Sequence, residues 1–124
     1  MIELDCSYGE GGGQIIRTAL ALSTITLKPF HAFDIRKNRP EPGLKAQHLC
    51  AIEALKQICN AETNEIKLGS TEITYTPAKV KSGEYSFDIG TAGSISLFLQ
   101  AVLPPLLFAL KKTHVMVTKL NVKN

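Results

Sequence analysis

The chain has 124 residues, 44% of them hydrophobic and 20% charged, with a formal net charge of +3 and a pI near 8.8. This length fits one domain with a modest core, and the composition excludes a disordered or low-complexity chain. The mild basicity suits an anionic ligand but does not by itself argue for nucleic acid. Cys6, Cys50 and Cys59 match no zinc spacing. Cys50 and Cys59 fall about half a turn out of phase on one predicted helix and cannot pair, so a reducing, cytoplasmic setting is the expectation. The N-terminus carries no signal-peptide pattern.

In chain order, Ile2 to Cys6 reads as a short apolar strand, followed by Tyr8-Gly9-Glu10-Gly11-Gly12-Gly13-Gln14. Four glycines in five positions let backbone approach a ligand closely, at a cost in chain entropy that a plain turn would not demand. Their amides and the first turn of the next helix make a concavity suited to phosphate. Glu10, the one carboxylate there, reads as a hard-metal ligand or a hydrogen-bond acceptor; in a plain turn it would be solvated. The loop fits neither the dinucleotide fingerprint nor the Walker loop.

A helix is predicted from Gln14 to about Thr26, with Ile15, Ile16, Ala19, Leu20, Leu22 and Ile25 apolar and Gln14, Arg17 and Ala21 along another line. A strand from Phe30 to Arg36 follows, then a loop with two prolines and Gly43, then a helix from Leu44 to Cys59. That helix carries an apolar stripe of Leu44, His48, Ala51, Ile52, Leu55, Ile58 and Cys59. Two short strands, Glu65 to Leu68 and Glu72 to Thr76, complete the unit. Arg36, Lys37, Arg39 and Lys45 cluster at the loop, where arginine forks and a helix N-terminus favour phosphate oxygens, although such loops are commonly only solvated. His48, with Gln47 in the same first turn, is expected to be neutral near the positive helix end, a core residue suited to donate or accept one hydrogen bond. His31 and His114 have no partner readable from the sequence and are taken as structural.

A second pass begins at Tyr85. Shifted by 83 residues without a gap, Asp5 falls on Asp88, Leu20 on Leu103, His31 on His114 and Asn38 on Asn121, with Gly90 to Ser94 in place of the glycine loop and Ser94 as a helix cap. Arg17 and Gln100 then occupy equivalent sites, so the two could face one ligand. Pro104 and Pro105 deprive the carbonyls of Gln100 and Ala101 of their usual partners. The apolar run from Leu97 to Leu110 is too short to span a bilayer. The fold expected is α+β: a βαβαββ repeat over residues 1–80, its sheet covered on one face by two helices, then a partial βαβ repeat over residues 84–124 in the same domain. Such a partial repeat predicts exposed apolar surface, and so either self-association or a missing remainder.

Several of these runs together resemble one family. Asp5, Tyr8 to Ser23, Ile35-Arg36, Arg39-Pro40, Pro42 to Lys45, Gln47 to Leu49, Leu68 to Thr71, Phe87 to Ser94 and Leu99-Gln100 with Leu103 to Pro105 look like the N-terminal part of RNA 3′-terminal phosphate cyclases, of the catalytic branch. The resemblance implies an ATP-binding ligase of RNA processing that also uses a divalent metal, magnesium or manganese. Such enzymes adenylylate a histidine, pass AMP to an RNA 3′-phosphate end, and let the adjacent 2′-hydroxyl displace it to give a 2′,3′-cyclic phosphate.

Carried over position by position, Glu10 matches the metal and nucleotide contact, and Gln14, Arg17 and Gln100 match positions around ATP. Arg36, Arg39, Gln47 and His48 match substrate-binding polar residues. Lys37-Asn38 and Ala46 depart from the family pattern. None of the three histidines matches the family's nucleophile, so no catalytic residue is assigned and the polypeptide alone is expected to be inactive. The alternative is a noncatalytic phosphate- or RNA-binding or assembly module on the same fold. Enolpyruvyl transferases share this kind of repeat, but their substrate motifs are absent.

Overall fold

A computed structural model of the protein describes residues 1–7, 12–89 and 95–123. The glycine loop at Tyr8 to Gly11, including Glu10, and the segment Gly90 to Ser94 with its expected cap lie outside the described residues. Among those residues the elements are β1 (Ile2–Asp5), α1 (Gly12–Thr26), β2 (Phe30–Phe33), α2 (Ala46–Cys59), β3 (Glu62–Thr63), β4 (Ile73–Thr76), β5 (Gly83–Asp88), α3 (Ile95–Lys112) and β6 (Val117–Lys123). This is an α+β fold in the expected order.

The first sheet runs β1-β2-β4-β3, with β1 parallel to β2 and the other pairs antiparallel. Strand side chains alternate faces. Phe30, Ala32, Ile73 and Tyr75 are therefore buried beneath the helices, while His31 sits on the open face. There it bridges two strands' carboxylates, with Nδ1 2.5 Å from Glu3 and Nε2 3.5 Å from Glu72. The hydrogen bond to Glu3 raises its pKa. These partners lie 28 and 41 positions away, which is why the sequence did not reveal them.

The helices are held largely by the residues the apolar pattern singled out, but on α1 Ala21, Ser23 and Thr24 are buried outside it. On α2, His48, Ala51, Ile52, Leu55, Ile58 and Cys59 are all buried as one stripe. On α1, Ile16 and Leu20 are buried, but Leu22 is 55% exposed and Thr24 is buried in its stead. Thr24 can be buried because its hydroxyl bonds both the Leu20 carbonyl (2.8 Å) and the Tyr75 hydroxyl (2.7 Å), leaving no polar atom unmatched. Leu22 instead lines an apolar groove of about 500 Å³ with Ile2, Leu4, Ile15, Ala19 and Phe30.

Several boundaries differ from expectation. The predicted strand at Glu65 to Leu68 is a bend and turn; β4 pairs with Glu62–Thr63 instead. Thr74 N–H is taken by the Asn64 side chain, which closes that hairpin without a further strand. β2 stops at Phe33 because Asp34 and Arg36 turn left-handed (φ 53° and 52°). α2 starts at Ala46 rather than Leu44, because Leu44 N–H bonds Ser70 and its carbonyl accepts Gly69 N–H. α3 reaches 18 residues with mean hydropathy 1.4, so it is long and apolar enough to match a bilayer span and the length argument against one does not hold. In this fold it packs on α1 and α2, burying Phe98, Ala101, Val102, Leu106 and Ala109.

The second unit repeats the first. β5 and β6 are parallel, as β1 and β2 are, and α3 runs between them as α1 does. The 83-residue shift holds through the helices but not into the next strand. Ile2 sits opposite Phe30, 28 residues on, whereas Tyr85 sits opposite Leu120, 35 residues on. His114 and Asn121 are thus not the counterparts of His31 and Asn38. The longer α3 and its following turn absorb the difference. The expected exposed apolar surface is present: Leu107, Phe108, Leu110 and Met116 are 55, 41, 40 and 65% exposed.

The base of the basic loop is clamped by Gly43. Its φ is +88°, and a Cβ there would stand 2.2 Å from the Gly69 carbonyl oxygen. Gly43 N–H bonds Ile35, and Ile35 N–H bonds Thr71, so three segments close on one point. Gly43→Ala should therefore destabilise the protein by more than the ~1–2 kcal/mol of the left-handed conformation alone. Urea unfolding would check this, and Gly69→Ala, whose Cβ meets nothing within 4 Å, should cost less.

Candidate functional site

Because β1 and β2 are parallel, their carboxyl ends lie side by side, and the chain leaves both at the same edge. The glycine loop follows β1 and the basic loop follows β2, while α1 and α2 each begin there. This is the edge at which open α/β sheets place ligands. Three hydrogen bonds fix its geometry. Ser7 bonds Asp5 through both its N–H (2.9 Å) and its hydroxyl (2.6 Å), and Asn38 from the basic loop donates to the Ser7 carbonyl at 3.3 Å. The basic loop is therefore tied to the end of β1 at Ser7.

His48 lies at the centre, 1% exposed. Its Nδ1 accepts the backbone N–H of Lys45 at 2.9 Å, tying the imidazole to the start of its own helix. A neutral imidazole that accepts at Nδ1 carries its proton on Nε2. Among the described residues that Nε2 is buried without a partner. Leaving such a donor unmet costs about 1–3 kcal/mol, so the site is set for an acceptor. Nε2 stands 3.1 Å from the point a Cβ on Gly13 would occupy, and Arg17 Nη1 stands 3.3 Å from the same point. Gly13, in the first turn of α1, has no side chain to keep these two groups from its backbone. The N-terminus of α1, the His48 Nε2–H and the Arg17 guanidinium thus converge.

Arg17 is held from the other side, its Nε donating to Gln100 Oε1 of α3 at 2.9 Å. Arg17, Gln100 and His48 are thus brought together, as the sequence proposed for the first two. Arg36 is placed differently. Its Nη1 donates to the carbonyls of Glu41 (2.7 Å) and Gly43 (3.0 Å), so part of its fork holds its own loop. Lys45 pairs with Glu41, and Lys37 lies 3.8 Å from Asp34. Arg39 is exposed on the loop, with its N–H bonded to the Arg36 carbonyl. Gln47 is half-buried in the first turn of α2, and Gln14 faces the apolar groove along β1. The bond from Lys45 N–H to His48 follows the N-cap to N3 spacing of a capping box, with His48 where Glu or Gln is usual; the Asn38 bond follows no spacing rule. Among the described residues no group of three or more His, Cys, Asp or Glu side chains is arranged to hold a metal ion.

Burial, joined by the charges of Arg17, Arg36 and Lys45, pushes His48 down to about 4 from its ordinary 6.5. It is neutral at pH 7, the form the geometry requires. Between those values the unfolded chain binds the proton and the folded one does not. The stability tied to this group is therefore complete above pH 6.5 and is lost as the pH falls toward 4. An ¹H–¹⁵N titration should show His48 as the Nε2–H tautomer with a midpoint near 4, while His31 titrates above 6.5. An ordinary midpoint for His48 would contradict the buried geometry.

Comparison with known proteins bears on this arrangement. The family model for RNA 3′-terminal phosphate cyclase matches residues 8–119. Proteins named RNA 3′-terminal phosphate cyclase from Ignicoccus hospitalis, Methanopyrus kandleri and Archaeoglobus fulgidus are 57, 58 and 56% identical over 88, 82 and 95% of this chain. The matches span 31, 29 and 36% of those relatives' own lengths. The chain spans about a third of the length of the relatives it matches. A family match over most of the chain, joined to a sheet edge where Arg17, His48 and Gln100 converge, makes this chain a member of the RNA 3′-terminal phosphate cyclase family.

Proposed function

We propose that this chain forms the phosphate-binding wall of an RNA 3′-phosphate cyclase, the site that receives the terminal phosphate of RNA together with ATP. The observation that carries the reading is the buried Nε2–H of His48, which lacks a partner among the described residues and stands with Arg17 against Gly13 at a helix N-terminus. A phosphate oxygen fits the donor set. It would accept from His48 without needing a buried cation, and it would be met by the Arg17 fork and the free amides of α1. Inside a site shielded from water these donors bind and orient the anion without reorganising, which is the main contribution a protein makes to phosphoryl and nucleotidyl transfer.

Each residue has a task under this reading. His48, fixed at Nδ1, orients one phosphate oxygen and keeps its own proton. Arg17 neutralises charge on the same group. Arg36 and Lys45 hold the basic loop in place and add to the local positive field, while Arg39 and Gln47 stand at its rim as contacts for the RNA end. Gln14 and Gln100 are assigned to the nucleotide by resemblance, and Glu10 to a magnesium or manganese ion. When bound, ATP with its metal supplies the activated AMP group that makes the 3′-phosphate a target for the neighbouring 2′-hydroxyl.

The test is a titration of the chain with two short oligoribonucleotides that differ only in a 3′-phosphate or 3′-hydroxyl end, at fixed salt. The phosphorylated end should bind about tenfold tighter, the worth of one charge-assisted contact, and Arg17→Ala should remove most of that preference. Equal affinity for the two ends would contradict the reading.

A further inference from the structure

The edge of the first sheet is its weakest part. Among the described residues β1 pairs with β2 alone, and its Ile2 is 50% exposed while Leu4 is half-buried. Short strands with so little burial open at low free energy. Yet β1 runs straight into Ser7, where the Asp5 side chain and Asn38 of the basic loop are bonded. Whatever holds β1 therefore also holds one end of the candidate site.

On the open face of the sheet the tie is His31. Its Nδ1 lies 2.5 Å from Glu3 on β1, and its Nε2 lies 3.5 Å from Glu72, beside the start of β4. A neutral imidazole carries one N–H and would turn the lone pair of its other nitrogen toward a carboxylate; the imidazolium donates on both sides. The Phe33 ring, its centroid 5.9 Å away on the same face, favours the cation as well. Thr74, opposite His31 on β4, is neutral, and Asp5, opposite Phe33, is turned to Ser7. Glu3 and Glu72 are thus the charges that act on it.

We propose that His31 is a proton-operated clamp: charged, it ties the edge strand β1 to β2 and to the segment entering β4, and on losing its proton it lets β1 and the turn at Ser7 loosen. The bond to Glu3, with a smaller part from Glu72, raises the pKa of His31 above its ordinary 6.5. The folded chain then holds the proton more tightly than the unfolded one, so the clamp is complete below pH 6.5 and fades as the pH rises through the folded value. His48 works in the opposite sense, its contribution being lost on acidification. Near pH 6.5 both are close to full.

Amide hydrogen exchange in the full chain, expressed as protection so that the intrinsic pH dependence cancels, tests the clamp. Protection at Leu4 and at Cys6, whose N–H bonds the Phe33 carbonyl at 3.0 Å, should fall about threefold between pH 6.5 and 9, the worth of an exposed ion pair. His31→Gln should show the weaker protection at both pH values, and Glu3→Gln should remove most of the change while leaving His31 in place. Protection that does not vary with pH in the native chain would overturn the clamp, as would a fall of the same size in His31→Gln or Glu3→Gln. No RNA or nucleotide enters the measurement, so its outcome is independent of the phosphate-binding reading.

Discussion

A buried imidazole with one nitrogen satisfied and the other not is the constraint from which the site follows. Lys45 N–H takes the Nδ1 of His48, so the proton is driven to Nε2, where no group among the described residues receives it. The fold tolerates that unmet donor because His48 also continues the apolar stripe of α2 and helps seal the core. Its charged form is excluded by burial and by three nearby cations, so it can act only as a neutral donor. Anything that binds there must bring an acceptor, and the surrounding Arg17 and helix N-terminus favour an acceptor with negative charge.

The sheet makes this convergence possible. Parallel pairing brings the carboxyl ends of β1 and β2 to the same edge, and Asn38 of the basic loop bonds Ser7 just after β1. The basic loop is itself under tension, with Asp34 and Arg36 both left-handed, a conformation that costs non-glycine residues about 1–2 kcal/mol each. Arg36 answers part of this by bonding two carbonyls of its own loop, and Gly43 closes the base. Backbone held in such conformations is typical of segments kept for binding. The second unit packs α3 on α1 and thereby brings Gln100 to Arg17. At two positions lining the apolar groove of the first unit, Ile15 and Ala19, the α3 counterparts are Phe98 and Val102, both buried. The two repeats therefore use the same helix face differently.

Much of this was readable before the structure. Local rules sufficed for the element order and the α2 stripe, because hydrophobic period and Gly/Pro punctuation are local signals. The pairing of Arg17 with Gln100 was legible because the repeat placed them in register. The 35-residue offset of β5 and β6 was not, since strand register depends on how helix length and turn add up in space. The strand expected at Glu65 to Leu68 failed for a similar reason: its polar alternation suits a strand, but Asn64 had already taken the Thr74 N–H. The Glu3–His31–Glu72 bridge and the double duty of Arg36 depend on contacts between distant segments, and no spacing in the chain announces them.

The most direct measurement is a crystal structure of the chain soaked with a 3′-phosphorylated oligoribonucleotide. A phosphate oxygen about 3 Å from His48 Nε2, with the Arg17 fork on the same group, is the result this account predicts. A phosphate seated on the outer face of the basic loop, with His48 Nε2 still unpartnered, would contradict it.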